Sequence, residues 1–135
     1  MTTEVLNKKS LQDVKTATGE VAWKSPSNIA LVKYWGKYGV QLPCNPSISF
    51  TLNNSCTTTT LKFAPKKGDA FDVRFELSGE RKESFEVKIK KFLESISNEV
   101  PFIPEFDFII ESSNSFPHST GIASSASGMS AIALC

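Results

Sequence analysis

The spacing of apolar residues changes along this chain, and that change restricts the folds open to it. Residues 47–52 and 70–77 alternate polar and apolar side chains, which predicts strands. Over residues 82–99 the apolar residues instead recur three or four positions apart, with Lys, Glu and Ser on the opposite face, which predicts an amphipathic helix packed on a sheet. Because the predicted strands and helices do not alternate strictly, the pattern favours an α+β fold over a doubly wound sheet.

Two places in the predicted sheet carry turn signals. Residues 20–24 alternate like a strand, and residues 25–28, Ser-Pro-Ser-Asn, interrupt it before a mostly apolar segment resumes. Further on, residues 47–52 and 57–63 predict the two strands of a hairpin, because residues 53–55, Asn-Asn-Ser, can supply the positive φ angles of a tight turn. We therefore expect short strands separated by turns in the first half of the chain.

Length and charge place the chain among ordinary globular domains. Its 135 residues and 40% hydrophobic content suffice for one domain, which we place at residues 20–135, after a flexible extension at residues 1–19. The formal net charge of +1 gives no reason to expect nucleic acid or an anionic membrane as a partner. Residues 131–135 stop inside an apolar helical pattern without a capping residue, so we expect a chain truncated within a helix.

The cysteines and the apolar stretches indicate the compartment. Cys44, Cys56 and Cys135 are odd in number and lack the spacing of a metal site. No apolar stretch is long enough to cross a bilayer, and the N-terminal residues are too polar for a secretory signal. We expect free thiols and a cytoplasmic location.

Small and hydroxyl side chains dominate residues 116–131. A strand predicted at residues 106–111 is followed by a loop and by a helix that begins near Ser124 or Ser125, and at such a helix start backbone N–H groups point at an anion. Gly121 and Ala123 let a phosphate approach the backbone, and serine hydroxyls add donors. The local pattern leaves a second interpretation open, in which Ala and Ser line a tight contact between helix and sheet and Ser124 caps the helix.

Residues 25–37 form the second group of candidate site residues. Asn28, Lys33, Tyr34 and Lys37 lie around an aromatic pair and a glycine in an otherwise apolar stretch. A buried lysine is unfavourable unless an anion neutralises it, so two lysines here indicate a polyanionic ligand. The alternative is that both lysines extend into solvent while the aromatic residues belong to the core.

Three motifs follow one another along the chain. Residues 28–37 match the pattern Asn-Ile-Ala-x-x-Lys-Tyr-Trp-Gly-Lys, and residues 43–52 resemble Pro-x-Asn-x-Ser-x-Ser-x-Thr-Leu. Residues 117–126 match the phosphate loop Pro-x-x-x-Gly-Leu-x-Ser-Ser-Ala, with Ile122 in place of leucine. In these motifs, from about Val21 onwards, the sequence resembles the N-terminal part of the mevalonate diphosphate decarboxylase family within the GHMP kinase superfamily.

The resemblance implies a fold and an activity. The fold would be the N-terminal lobe of the GHMP kinase fold, similar to domain 2 of ribosomal protein S5. The full-length protein would use ATP and Mg²⁺ to phosphorylate the tertiary hydroxyl of mevalonate diphosphate, after which phosphate and CO₂ leave and isopentenyl diphosphate remains. Its partner would be this small-molecule substrate, and a homodimer of the full-length protein is compatible with the resemblance.

The resemblance also assigns roles to residues. Those implied to bind the ATP phosphates are Gly121, Ala123, Ser124, Ser125 and Ser127. Those implied to bind the substrate are Asn28, Lys33, Tyr34 and Lys37. Lys37 is in addition the candidate catalytic residue, and Ser125 is the candidate contact of Mg²⁺. The sequence departs from many family members at His118 beside the phosphate loop, where a donor to phosphate or an exposed loop residue are both compatible with the pattern.

Two alternative functions remain at this stage. The first is a sister kinase of the superfamily that phosphorylates mevalonate or a phosphomevalonate without decarboxylation. The second is a non-catalytic module that binds RNA or protein, although near-neutral charge disfavours RNA. Because the catalytic aspartate and the substrate-binding arginine of the family would lie beyond Cys135, we expect the 135-residue chain to be inactive on its own.

Overall fold

A computed structural model describes residues 16–40, 42–117 and 123–135 of the chain. Its main sheet has five strands in the order β1-β4-β7-β5-β6, and β2 and β3 form a separate two-stranded sheet. The strands are β1 (Gly19–Val32), β2 (Lys37–Tyr38), β3 (Leu42–Pro43), β4 (Ile48–Pro65), β5 (Val73–Leu77), β6 (Glu80–Arg81) and β7 (Phe106–Asn114). The helices of the described residues are α1 (Glu83–Ser95) and α2 (Ser124–Leu134), with a short 3₁₀ turn at Ile103–Glu105.

The mixed sheet confirms the predicted α+β fold. Strand β5 pairs in parallel with β7 and antiparallel with β6, so the sheet has neither the all-parallel order of a doubly wound fold nor a simple meander. Helix α1 lies at residues 83–95, within the predicted range 82–99, and α2 begins at Ser124 as expected. Among the described residues, neither helix is long and apolar enough to span a bilayer.

The predicted interruption of the first strand at residues 25–28 is wrong. Strand β1 continues through this segment for 14 residues. Pro26 cannot donate a backbone hydrogen bond, but β1 is the terminal strand of the sheet order, where a missing donor can face away from the neighbouring strand. The buried residues Ser25 and Ser27 lie on one face of the strand and Pro26 on the other, as the alternation of a strand requires.

The predicted hairpin is also wrong, because β4 is one strand of 18 residues. Among the described residues other than glycine, only Ser78 has a positive φ angle, so residues 53–55 do not form the tight turn. The backbone of this segment has partners elsewhere. The Asn54 carbonyl accepts from Ser115 Oγ at 2.9 Å, and Cys56 exchanges hydrogen bonds with Ser115 through both its N–H and its carbonyl. These long-range contacts outweigh the turn preference of Asn and Ser.

The described residues divide into two compact units, and the first contains residues 16–22, 60–112 and 135. Its core is apolar: Phe75 of β5, Ile89 of α1 and Ile110 of β7 are all buried. Aromatic contacts add to the packing, since the Phe63 and Phe106 rings meet edge to face with their centroids 5.3 Å apart.

Two carboxylates of the first unit, Asp107 and Glu86, accept hydrogen bonds from backbone N–H groups of other segments. Asp107 accepts hydrogen bonds from the backbone N–H groups of Lys67 and Asp72, at 3.1 and 2.8 Å. Glu86 of α1 accepts from Arg81 Nε at 2.8 Å and from the Phe75 N–H at 3.1 Å. The Arg81 guanidinium is the main reason that the pKa of Glu86 is lowered, and the Phe75 N–H acts in the same direction.

The second unit contains residues 23–40, 42–59, 113–117 and 123–134. Buried hydroxyls are prominent in it, and they belong to Ser25, Ser27, Thr57, Thr59 and Ser127. Its buried apolar residues are small or medium in size, namely Cys56, Ala131 and Ile132. Both groups of candidate site residues fall within this unit.

Candidate functional site

The start of α2 carries the described part of the predicted phosphate loop. The Ala123 carbonyl accepts from the N–H groups of Ala126 and Ser127, both at 3.1 Å, and so closes the first turn of the helix. The Ser124 side chain is half-buried, while that of Ser125 is exposed. Gly121 and His118, which the sequence also singles out, lie outside the described residues.

Ser127 differs from Ser125 in the direction of its side chain. It is 2% exposed, and its Oγ lies 2.7 Å from Thr57 Oγ1 of β4. The two interpretations of the small-residue segment therefore apply to different residues. Ser127 belongs to the contact between helix and sheet, whereas Ser125 presents its hydroxyl to solvent, where a phosphate can reach it.

Thr57 contacts a second polar side chain. Its hydroxyl donates to Asn114 Oδ1 at 2.7 Å, and Asn114 is the last residue of β7. The next residue, Ser115, is held to β4 by its hydrogen bonds with Cys56. The strand that enters the phosphate loop and the helix that leaves it are thus both bonded to the same stretch of β4.

Further hydroxyls line β1 opposite α2. Ser25 Oγ donates to Ser130 Oγ at 2.9 Å. Ser27 Oγ is buried and has no hydrogen-bond partner among the described residues. A buried hydroxyl without a partner is unfavourable, so Ser27 lowers the stability of the second unit and Ser25, which has a partner, does not.

Residues 33–37 lie on the surface of the second unit. The side chains of Lys33, Tyr34, Trp35 and Lys37 are all exposed, and Trp35 is 82% exposed. The expectations that this stretch is buried and that its aromatic residues form core are therefore wrong for the chain described. Because Lys33 and Lys37 are exposed, burial no longer requires an anion to neutralise them. Both ammonium groups are nevertheless accessible to a polyanionic ligand.

The backbone of this segment is fixed by Asn45. Its Oδ1 accepts from the Trp35 N–H at 2.7 Å, and its Nδ2 donates to the Lys33 carbonyl at 3.3 Å. Gly36 follows with a φ of +80°, a conformation that L side chains rarely adopt. The bend then places Lys37 opposite Pro43 in the pairing of β2 with β3.

Lys37 and Tyr34 contact each other directly. The Lys37 Nζ lies 5.6 Å from the centroid of the Tyr34 ring, within the range of a cation–π interaction. Asn28 lies on β1 with an exposed side chain. The four residues implied to bind the substrate are therefore all accessible, and two of them touch.

The described residues fit a phosphate ligand better than a self-sufficient metal site. They offer exposed ammonium groups at Lys33 and Lys37 and an exposed hydroxyl at Ser125. Among residues 16–40, 42–117 and 123–135 there is no cluster of three or more His, Cys, Asp or Glu side chains that could hold a metal ion. Any Mg²⁺ here would depend on phosphate oxygens and water for most of its ligands.

A groove of about 310 Å³ in the first unit lies outside the motifs. Lys62 and Arg74 line it, but each is paired with a carboxylate, Lys62 with Glu111 at 3.0 Å and Arg74 with Glu76 at 2.8 Å. The pairing with Glu111 also raises the pKa of Lys62. Lys67 also lines the groove, together with Asp72 and Asp107. Because carboxylates lie among its cations, the groove is a weaker anion site than the surface of the second unit.

Comparison with known proteins identifies the family. Residues 25–135 match the family model described as "Diphosphomevalonate decarboxylase-like N-terminal domain". This chain belongs to the diphosphomevalonate decarboxylase family. The resemblance in its three motifs is thereby confirmed, and so is the α+β lobe of the GHMP kinase type.

Individual family members agree with this assignment. The diphosphomevalonate decarboxylase of Debaryomyces hansenii is 37% identical over 120 residues, which cover 80% of this chain and 31% of that protein. The crystal structure of mevalonate diphosphate decarboxylase from Staphylococcus aureus is 33% identical with a TM-score of 0.74, covering 87% of this chain and 35% of that one. The structure of "MDDEF in complex with MVAPP, AMPPCP and Magnesium" is 34% identical with a TM-score of 0.72, over 87% of this chain and 35% of that one. The chain thus spans about a third of the length of these relatives.

Sequence reasoning did not select three residues that organise the site. Asn45 lies within the motif at residues 43–52, but the sequence gives it no role of its own and does not predict that it holds the backbone of residues 33–35. Thr57 begins a run of four threonines, which was interpreted only as β propensity. Asn114 is preceded by two serines and gives no local signal of its long-range contact.

Proposed function

We propose that the complete protein containing this chain decarboxylates mevalonate diphosphate to isopentenyl diphosphate with consumption of ATP. Family membership supports this, because the relatives that match are diphosphomevalonate decarboxylases. The observation that carries the proposal is that residues 28–37 and the start of α2 lie in the same compact unit with accessible Lys37, Tyr34 and Ser125. The thiols of Cys44 and Cys56, which are not in disulfides, favour a cytoplasmic location.

The two segments would divide the binding of the phosphates between them. The start of α2 would hold the ATP phosphates through backbone N–H groups and through the hydroxyls of Ser124 and Ser125. Lys33 and Lys37 would neutralise the substrate diphosphate, and Asn28 would help to orient it. MVAPP, AMPPCP and magnesium in a complex of a relative are compatible with this division. When bound, Mg²⁺ would neutralise charge on the phosphates.

Phosphoryl transfer needs positioning and charge stabilisation more than covalent help from the protein. The γ-phosphoryl group of ATP passes to the oxygen of the tertiary hydroxyl, which loses its proton, and ADP leaves. The C–O bond to the new phosphate then breaks and the phosphate departs with that electron pair. The electrons of the C–C bond to the carboxylate form the alkene, and CO₂ is released. Lys37 would stabilise the charge that accumulates on the transferring group.

The test is the stoichiometry of ADP and CO₂ released by the complete protein from ATP and mevalonate diphosphate. Equal amounts of both products support the proposal. ADP without CO₂ would instead indicate a kinase of the same superfamily, and neither product would indicate a non-catalytic member. The prediction that the 135-residue chain is inactive on its own is tested by the same assay.

A pair of lysine variants tests the role of the motif. Lys37→Ala should lower kcat/KM for mevalonate diphosphate by about 10²-fold, as expected when a group that stabilises transition-state charge is removed. Lys24→Ala is the matched control, because Lys24 is also exposed on the second unit but lies outside the motif. Equal effects of the two substitutions would contradict a specific role for Lys37.

A further inference from the structure

Thr57 of β4 is a buried polar residue that contacts two other elements of the second unit. It is 1% exposed, and its single hydroxyl contacts Asn114 Oδ1 and Ser127 Oγ, each at 2.7 Å. The two partners are 57 and 70 residues away in the sequence. One side chain of β4 therefore joins the end of β7 to the first turn of α2.

The number of hydroxyl hydrogens determines which group donates and which accepts in each contact of this cluster. Thr57 has one hydroxyl hydrogen, and Asn114 Oδ1 can only accept, so Thr57 donates to Asn114. The contact of 2.7 Å between Thr57 and Ser127 then requires Ser127 to donate to Thr57. Ser127 Oγ also donates to the Ser124 carbonyl at 3.2 Å, a longer contact that shares the same hydrogen. Each hydroxyl thus donates one short hydrogen bond: Ser127 of α2 donates to Thr57 of β4, and Thr57 donates to Asn114 of β7.

The backbone of β4 strengthens the attachment at the end of β7. Ser115 N–H donates to the Cys56 carbonyl, and Cys56 N–H donates to Ser115 Oγ, both at 2.9 Å. On the side of the helix, the hydroxyl contact of Thr57 with Ser127 is a side-chain connection between β4 and the first turn. Removing the Thr57 hydroxyl should therefore release the helix start more than the strand end.

We infer that Thr57 is a positioning residue for the binding of ATP. This inference rests on the proposed function, since it assumes that Ser124 and Ser125 hold the ATP phosphates. Thr57 does not touch the ligand. It fixes the first turn of α2 against the sheet, and hydrogen bonds to phosphate weaken when their donors shift by a fraction of an ångström. Valine at this position keeps the shape of threonine, but it removes the described side-chain donor to Asn114 Oδ1 and the shorter of the two hydrogen-bond partners of Ser127.

The experiment compares variants of the complete protein by steady-state kinetics and thermal unfolding. Thr57→Val should raise KM for ATP roughly tenfold, the loss expected when a phosphate cradle is displaced, while KM for mevalonate diphosphate changes less than about twofold. Thr57→Ser restores the hydroxyl and should return KM for ATP to within about threefold of the parent value.

Two further variants separate positioning from stability. Ser25→Ala removes a second hydroxyl contact between a strand and α2, the contact of Ser25 with Ser130, at a point away from the first turn. Ser25→Ala should lower Tm by about as much as Thr57→Val does, and it should leave KM for ATP unchanged. Ser127→Ala keeps a good helix former and removes only one contact of Thr57, so it should fold and raise KM for ATP by about threefold.

Three results would overturn the inference. Thr57→Val and Ser127→Ala could lower Tm without changing KM for ATP, which would make Thr57 merely structural. Thr57→Ser could behave like Thr57→Val, which would show that KM for ATP responds to any change of side chain at this position and not to the hydroxyl. The parent protein could fail to use ATP at all, in which case the proposed function fails first and the role of Thr57 fails with it.

Discussion

The two units of this chain differ in what they bury. In the first unit, large apolar side chains such as Phe75, Ile89 and Ile110 fill the interior. In the second, hydroxyls such as those of Thr57 and Ser127 take buried positions. Burying a large apolar side chain contributes about 1.5–3 kcal/mol, whereas a hydrogen bond contributes about 1 kcal/mol net. The comparison indicates that the first unit is built mainly for stability and the second for defined positions of polar groups.

The surfaces of the units differ in the same sense. The second unit exposes many large apolar side chains, and Val40 and Trp35 are exposed by 91% and 82%. The motif residues lie on this surface. In the first unit, exposed charges are instead paired across strands, as between Lys62 and Glu111. The residues implied to act on substrate therefore belong to the unit that has the smaller apolar interior of its own.

The largest expected effect tests whether stability really resides in the first unit. Ile110→Ala, at a position with 0% exposure, should lower the free energy of unfolding by about 2–5 kcal/mol, because it leaves a cavity in the core. Trp35→Ala removes a larger side chain from an exposed position and should change the same quantity by about 0.5 kcal/mol or less. Urea unfolding of the 135-residue chain measures both. Comparable losses would show that the second unit depends on its exposed aromatic residues.

An intermediate effect tests the backbone of the second unit. Gly36→Ala should destabilise the chain by roughly 1–2 kcal/mol, because alanine must adopt the φ of +80°. Gly128→Ala should stabilise it by roughly 0.5–1 kcal/mol, because Gly128 lies within α2 and the added methyl group meets no atom within 4 Å. The same urea measurement applies. Effects of the same sign would contradict the view that local conformation, and not glycine as such, sets stability here.

The smallest expected effect concerns the charges of the first unit and depends on pH. The pKa of Glu86 is lowered in the folded chain by Arg81, so its ionised form stabilises the fold above the ordinary carboxyl pKa, near 4.3. This stabilisation is lost as the pH falls through the lowered pKa. The difference in urea midpoint between the parent and Glu86→Gln should therefore shrink from pH 7 towards pH 3.

Glu83→Gln is the control for the pH experiment, because Glu83 begins the same turn of α1 with an exposed side chain. Its effect should be smaller than that of Glu86→Gln at pH 7. A difference between the parent and Glu86→Gln that stays constant with pH would contradict a contribution from the ionised form of Glu86. No difference at any pH would show that Glu86 acts through the Phe75 hydrogen bond alone, which glutamine preserves.

The sequence predicted the elements whose pattern is local. The apolar spacing over residues 82–99 places α1, although the helix ends at Ser95, where the hydroxyls of Ser95 and Ser97 bond to carbonyls of the last turn. The predicted strand at residues 70–77 is shorter in the structure, Val73–Leu77, and the strand at residues 106–111 extends to Asn114. Periodicity identified these elements because each buries one face.

Long-range pairing explains where the sequence predictions were wrong. The Asn-Asn-Ser segment at residues 53–55 has a strong local turn preference, but its neighbours pair with Ser115, more than fifty positions away. The prediction that Trp35 is buried was wrong because an apolar segment alone does not reveal which other element, if any, packs against it. The motif matches selected residues 28–37, 43–52 and 117–126. The cluster around Thr57 depends on three elements and has no signature in any one of them.

The continuity of β4 has a consequence for sequence change over evolutionary time. A single strand of 18 residues carries Thr57 at the site and Leu61 in the core of the first unit, on the same face. Inserting or deleting one residue between them would turn one of these side chains to the opposite face. Length variation should therefore be excluded from this part of β4 and concentrated in exposed turns such as residues 66–70 and 78–79. Insertion scanning would then reveal a tract between Thr57 and Leu61 that tolerates no change of length.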